Sequence, residues 1–211
     1  MDDDATDAVD GLSEAARAVG YPLDRASCDA LVAWAELVIE WRKAAQLTSL
    51  RSTGDVLREL MEPALCALRV VEIARDSHTV DFGCGNGCTG ITLALATAGG
   101  KWTLLDRDEK KLTFCRYALA RCRIESLGAR VRLAGEVDPG SADVLLLRGT
   151  PRSAELAEAA DRLLAPQGVV VRWVPKPPRG NGPRAVRCGW RNLWVVASQP
   201  NVSRETLHGR D

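Results

Sequence analysis

An α/β fold is predicted, with a mostly parallel Rossmann-like sheet, an antiparallel last strand and a helical extension in front, and three observations predict it. From residue 79 onward, short apolar runs alternate with stretches of helical periodicity, the signature of right-handed β-α-β crossovers. The first of these runs, Thr79 to Phe82, passes into a turn with glycines at 83, 85, 87 and 90 that opens a helix. The last two apolar runs, Val169 to Val174 and Leu193 to Ala197, have no helical segment between them, so the final strand should enter reversed.

The elements follow in order. Met1 to about Asp10 carries five Asp and no base, and reads as unstructured. Leu12 to Val19 suits a short helix ended by Gly20 and Pro22. Asp24 can cap a long helix through about Ala45, in which Leu31, Trp34, Leu37, Val38 and Trp41 form one apolar face, for packing onto the sheet domain or for a partner. A further helix spans about Thr53 to Ala74, interrupted at Pro63. Strands are then expected near 79–82, 102–105, 130–133, 142–147, 168–174 and 192–197, and helices near 88–98, 108–126 and 152–164. The natural division is 1–75 as acidic tail and helical extension, and 76–211 as the Rossmann-like domain. The Pro/Gly-rich basic segment from Pro175 to Pro183 suits substrate contact or a plain solvent loop.

Composition bounds the rest. The chain has 211 residues, 46% apolar content and 28 bases against 28 acids, enough for a full core and without a bulk signal for a polyanion. Bases do gather locally, eight against three acids over residues 107–132 and eight against two over 172–211, which suits an RNA-facing surface or ordinary solvated helices. Lys110, Lys111, Arg116, Arg121 and Arg123 fall on one helix. Seven cysteines, an odd count, and no apolar leader point to free thiols in a reducing cytosol. Cys84 and Cys88 find no second pair or nearby histidine, so no metal is expected, and no apolar run is long enough for a membrane span.

The glycine turn carries the chemistry. Gly85 to Gly90 fits the G-x-G-x-x-G pattern of dinucleotide binders, where a pyrophosphate sits on a helix N-terminus. Asp81 and Gly83 extend it to Asp-x-Gly-x-Gly-x-Gly, the form found in S-adenosyl-L-methionine-dependent methyltransferases. A carboxylate at the strand end attracts an ammonium or sulfonium and repels a pyrophosphate, which favours S-adenosyl-L-methionine over the dinucleotide or a purely structural turn. Asp106 closes the next strand roughly twenty positions on, where a carboxylate can accept both hydroxyls of a ribose or simply cap a turn.

Several segments in order resemble the small-subunit ribosomal RNA guanine-N7 methyltransferase G family, also called the glucose-inhibited division protein B group. Trp41 to Thr48 is similar to its Trp-Asn-x-x-x-Asn-Leu-Thr, and Gly83 to Ile91 to its Gly-Ser-Gly-x-Gly-Phe-Pro-Gly-Ile. Leu104 to Phe114 resembles Leu-Leu-Asp-Ser-x-x-Lys-Lys/Arg-x-x-Phe, Ala134 to Glu136 resembles Arg-Ala-Glu, and Asp143 to Gly149 resembles Asp-x-Val-x-Ser-Arg-Ala. The likeness covers roughly residues 30–176. It implies a class I methyltransferase fold, cofactor contacts from Gly83 and Cys88, contacts to adenine from Gly135 and Glu136, and Arg148 holding the methionine carboxylate or facing the guanine. An ion pair of Arg148 with Glu136 or Asp106 is the plainer alternative. The implied partner is small-subunit ribosomal RNA in the 30S subunit.

The family's Arg-His-x-x-Asp-Ser is here Arg58 to Pro63, with Glu59 and Pro63 in place of His and Ser. The acceptor half thus departs further than the cofactor half. Guanine N7 has an exposed lone pair and needs no general base, which agrees with the lack of a His or Cys constellation; His78 and His208 stand alone. The competing readings are a methyltransferase of small molecules or proteins, and a cofactor-binding, ribosome-associated protein that has lost its chemistry.

Overall fold

The computed structural model describes residues 3–124, 129–133, 137–149, 154–176, 184–188 and 193–199. Seven strands form one sheet: β1 His78–Phe82, β2 Lys101–Asp106, β3 Ala129–Leu133, β4 Ala142–Leu147, β5 Leu164–Val174, β6 Arg184–Arg187 and β7 Trp194–Ser198. Their spatial order is β3-β2-β1-β4-β5-β7-β6, parallel from β3 to β5, with β7 antiparallel to both its neighbours. The order reverses between β1 and β4, and open α/β sheets bind ligands at the carboxyl ends of strands flanking such a reversal.

Strand alternation divides the core in two. Leu104, Leu146 and Val171 face one side of the sheet, and Val80, Leu105, Leu145, Leu147 and Val170 face the other. The second face is covered by α7 (Ala154–Leu163) through Ala160 and Leu163. The first face takes the other helices: α5 (Cys88–Thr97) and α6 (Glu109–Cys122) lie against it, and α1 (Asp3–Ala18) and α2 (Arg25–Trp41) join the same continuous core. Leu31, Trp34, Ala35, Leu37 and Val38 of α2 are buried there, and the ring of Trp41 packs on Phe114 and Tyr117 of α6.

Four elements differ from expectation. Helix α1 begins at Asp3 because Ala8, Leu12 and Ala16, four residues apart, form a buried stripe while Asp7 and Asp10 stay in water. Helix α2 stops at Trp41, and Gln46 turns the chain with a left-handed backbone, φ 51°. The expected helix from Thr53 is a composite: α3 (Thr53–Val56), a π turn Leu57–Met61, α4 (Glu62–Leu65) and a 3-10 turn Cys66–Arg69. Finally, β6 adds a short seventh strand at the sheet edge, where its alternation is too brief to stand out from a basic loop.

Pro63 explains the composite helix. It has no N–H to give the Glu59 carbonyl, so the regular ladder cannot run through it. The chain widens instead, Glu62 N–H bonding the Leu57 carbonyl five residues back, and the carbonyls of Glu59 and Leu60 turn outward.

Candidate cofactor site

The glycine turn lies at the carboxyl end of β1, at the mouth of the topological reversal. The carbonyl of Leu105, near the end of β2, accepts from the N–H groups of both Gly83 (2.7 Å) and Cys84 (3.0 Å), which ties the turn to the neighbouring strand. Gly83, Gly85 and Gly87 all adopt left-handed backbone, with φ of 72°, 58° and 73°. They do so for different ends. A Cβ at Gly85 would meet nothing nearer than the Gly83 carbonyl at 4.0 Å, so that main chain lies open for a ligand. A Cβ at Gly87 would stand 2.7 Å from Cζ2 of Trp34, and one at Gly90 would stand 2.6 Å from Leu104; these two glycines admit helix packing.

Both acidic residues bind the turn. Asp106 Oδ2 accepts from Gly85 N–H at 2.9 Å, and Oδ1 from Asp108 N–H at 2.9 Å. A carboxylate offers about four acceptor positions, so two remain beside the open Gly85 main chain. Asp81 is buried under the first turn of α5, where its Oδ2 accepts from Gly90 N–H at 2.9 Å. Burial pushes its carboxyl up to about 7; the Gly90 N–H and the charge of Arg148 act against that, and Asp106 adds to it.

These contacts separate the cofactor classes. The Cys88 N–H is taken by Asn86 Oδ1 at 3.1 Å and the Gly90 N–H by Asp81. Two of the amides that a pyrophosphate would use at the start of α5 are therefore already filled, one of them by a carboxylate. What stays open is the space over Gly85, where a Cβ would meet nothing nearer than 4.0 Å, next to the Asp106 carboxylate, which suits a cationic donor carrying a ribose.

The helical extension grips the turn from the other side. Trp34 Nε1–H donates to the Asn86 carbonyl at 2.9 Å, and Asn86 Nδ2 donates to the Leu47 carbonyl at 3.4 Å, while from α6 the Cys115 thiol donates to the Gly85 carbonyl at 3.7 Å. Cys88 is buried at the start of α5, and burial raises its thiol well above the usual range.

Arg148, just past β4, is not paired with Asp106. Its guanidinium donates to the Glu59 carbonyl at 2.8 Å, to the Leu60 carbonyl and to Thr89 Oγ1 at 3.3 Å, and lies 5.8 Å from the ring of Trp173. It supplies the donors that Pro63 and the π turn withhold. Trp173 in turn donates from Nε1 to the Pro63 carbonyl at 3.0 Å. The clamp thus joins the segment Arg58 to Pro63 to the strand ends.

Asp81, Gly83, Gly85, Cys88, Asp106 and Arg148 all gather around the carboxyl ends of β1, β2 and β4. Gly135 and Glu136 lie outside the described residues, as does 177–183 of the basic loop. Sequence reasoning passes over Asn86, Thr89 and Trp173. Asn86 alone has a readable signal, an amide side chain two residues before a helix amide. His78 sits at the far end of β1, bonded through its ring to the Ser141 carbonyl and Thr103 Oγ1, both at 2.9 Å. Among the described residues no group of three or more His, Cys, Asp or Glu is placed to hold a metal ion, and no helix is long and apolar enough to cross a membrane.

The fold and this site define a class I S-adenosyl-L-methionine-dependent methyltransferase. Solved structures agree on the fold: mitomycin 7-O-methyltransferase MmcR superposes with a TM-score of 0.52 at 16% identity, covering 69% of this chain and 55% of that one. An RNA methyltransferase from Salinibacter ruber in complex with S-adenosyl-L-homocysteine gives 0.50 at 18% identity, covering 63% and 88%. The family model for rRNA small subunit methyltransferase G matches residues 27–174, and the chain belongs to that family. A ribosomal RNA small subunit methyltransferase G of Ralstonia nicotianae is 33% identical over 94% of this chain and 88% of its own, and one of Alkalilimnicola ehrlichii is 31% identical over 71% and 70%.

Proposed function

We propose that this protein transfers a methyl group to N7 of a guanine in small-subunit ribosomal RNA, acting in the cytoplasm on RNA of the 30S subunit. The observation that carries the cofactor half is the open space over Gly85 beside Asp106, with two of the α5 amides already filled. Family membership carries the acceptor half.

S-adenosyl-L-methionine supplies an electrophilic methyl on a sulfonium. Asp106 would accept the ribose hydroxyls with the lone pairs left free by Gly85 and Asp108. Gly83, Gly85 and Cys88 would contact the cofactor from the glycine turn and the start of α5, and the family resemblance gives Gly135 and Glu136 the contacts to its adenine. Asp81, when ionised, would add negative charge at the strand end, where a cationic cofactor would gain from it. Guanine N7 attacks with its own lone pair, so no side chain need remove a proton. The work of the protein is alignment: Arg148 fixes residues 58–63 of the helical extension against the strand ends and faces the incoming base. On this reading 1–75 is an extension that shapes the mouth of the domain formed by 76–211.

The test incubates the protein with labelled S-adenosyl-L-methionine and small subunits from cells lacking the gene, then maps N7-methylguanosine. The expected result is a single methylated guanine in small-subunit RNA. Transfer only to small molecules or proteins, or binding without transfer, would overturn it.

A further inference from the structure

All seven cysteines are free thiols, but their surroundings differ sharply. Cys66 opens the 3-10 turn and is only partly buried; Cys188, directly after β6, is buried. The Cys188 thiol reaches the Pro63 carbonyl at 3.9 Å. A helical carbonyl points along the axis toward the residues three and four further on, here Cys66 and Ala67. The Cys188 side chain there also meets that of Cys66, within hydrogen-bonding reach. The Cys188 backbone is held in turn by its N–H bond to the Leu193 carbonyl at 2.8 Å, and β6 and β7 both pack on the 3-10 turn.

The charges around Cys66 favour its thiolate. The hydrogen bond with Cys188 lowers it from its ordinary value, Arg69 and Arg148 add to that, and burial and Glu62 oppose it. No other described cysteine combines these properties. Cys84 and Cys115 also meet, but both are buried and Cys84 is pushed far up; burial pushes Cys122 up to about 11.

We propose that Cys66 and Cys188 are a reversible oxidation site that peroxides close into an intramolecular disulfide. The Cys66 thiolate attacks one peroxide oxygen; the O–O bond breaks, the other oxygen leaves as hydroxide or alkoxide, and Cys66 becomes a sulfenic acid. The Cys188 sulfur then attacks the Cys66 sulfur, the S–S bond forms, the S–O bond breaks, and the departing hydroxide takes the Cys188 proton as water. The peroxide is reduced by two electrons and the thiol pair oxidised by two. The product fastens the β6–β7 hairpin to the turn just after Pro63, beside the Arg148 clamp.

The test treats the full chain with hydrogen peroxide, blocks remaining thiols and maps peptides by mass without reductant. The expected result is one Cys66–Cys188 linkage, reversed by dithiothreitol. Thiolate population falls tenfold and nucleophilicity rises about threefold per unit of thiol pKa, so Cys66, whose thiol is lowered, should be alkylated faster than Cys122, whose thiol burial pushes up. In Cys188→Ser, dimedone should trap a sulfenic acid at Cys66; in Cys66→Ser, Cys188 should stay reduced. Linkage through Cys84 and Cys115, a Cys66 no faster than Cys122, or sulfinic acid at Cys66 with Cys188 still free would overturn the proposal, and these readouts on the unaltered protein do not depend on any variant folding.

Discussion

The indole N–H of Trp34 donates to the main-chain carbonyl of Asn86 at 2.9 Å, so a helix of the extension holds the glycine turn from above. Trp34 is fully buried, and its ring meets Phe114 edge-on, centroids 5.9 Å apart. Trp34→Phe keeps most of the packing and removes the donor. It should cost about 1–2 kcal/mol in denaturant unfolding and weaken cofactor binding, whereas Trp34→Ala should cost about 3–5 kcal/mol. Equal losses for both would mean that the hydrogen bond contributes nothing.

Gly85 and Gly87 separate binding from stability. Gly87→Ala meets both left-handed backbone and the Trp34 ring, and should destabilise by about 2–5 kcal/mol. Gly85→Ala meets the backbone cost alone, about 1–2 kcal/mol. Calorimetric titration should nevertheless find the larger loss of S-adenosyl-L-methionine affinity, per kcal/mol of lost stability, in Gly85→Ala.

Asp81 makes both stability and affinity depend on pH, in opposite directions. Its folded carboxyl titrates near 7, above its unfolded value, so the folded state holds the extra proton between about pH 4 and 7. Stability should therefore fall as pH rises through that window, by up to roughly 4 kcal/mol, and level off above it. A cationic ligand prefers the ionised form, so its affinity should rise up to about tenfold per unit and plateau above pH 7. Asp81→Asn should flatten both profiles; slopes that survive it belong to another group.

Pro63 and Arg148 should be energetically coupled. Removing the guanidinium leaves the Glu59 and Leu60 carbonyls without their donor, at a cost of about 2–4 kcal/mol in Arg148→Ala. Pro63→Ala restores an N–H that can reach Glu59, so Arg148→Ala should cost less in that background. A double-mutant cycle on unfolding free energies measures the difference, and strict additivity would refute the coupling. Methyl transfer should fall in Arg148→Ala with Arg148→Lys intermediate, because an ammonium lacks the fork that spans two carbonyls.

The sheet domain is legible from the chain because its signals are local. The strand runs, the glycine turn and the acidic strand ends at Asp81 and Asp106 all sit where periodicity and turn chemistry put them. The reversed entry of β7 is legible too, from a missing helix. What stays hidden depends on distant partners. Helix α1 is hydrophilic by composition and becomes a helix because three small or apolar residues find a surface. Gly85 and Gly87 look alike in sequence and differ because Trp34, Cys115 and Leu104 crowd one of them. The role of Arg148 as a donor to residues 58–63 depends on a proline 85 positions away, which no motif spacing could connect.

The wide turn at Leu57–Met61 sets the phase of everything before it. An α-helix advances about 100° per residue, so deleting a single residue here would straighten the rod and swing α3 around its axis by that angle. Ser52, Asp55 and Arg58 would then face other neighbours, and the two outward carbonyls would fold back into the ladder. Chain length in this segment is consequently as much a part of the catalytic mouth as any side chain, and a one-residue insertion or deletion should do more harm than most substitutions.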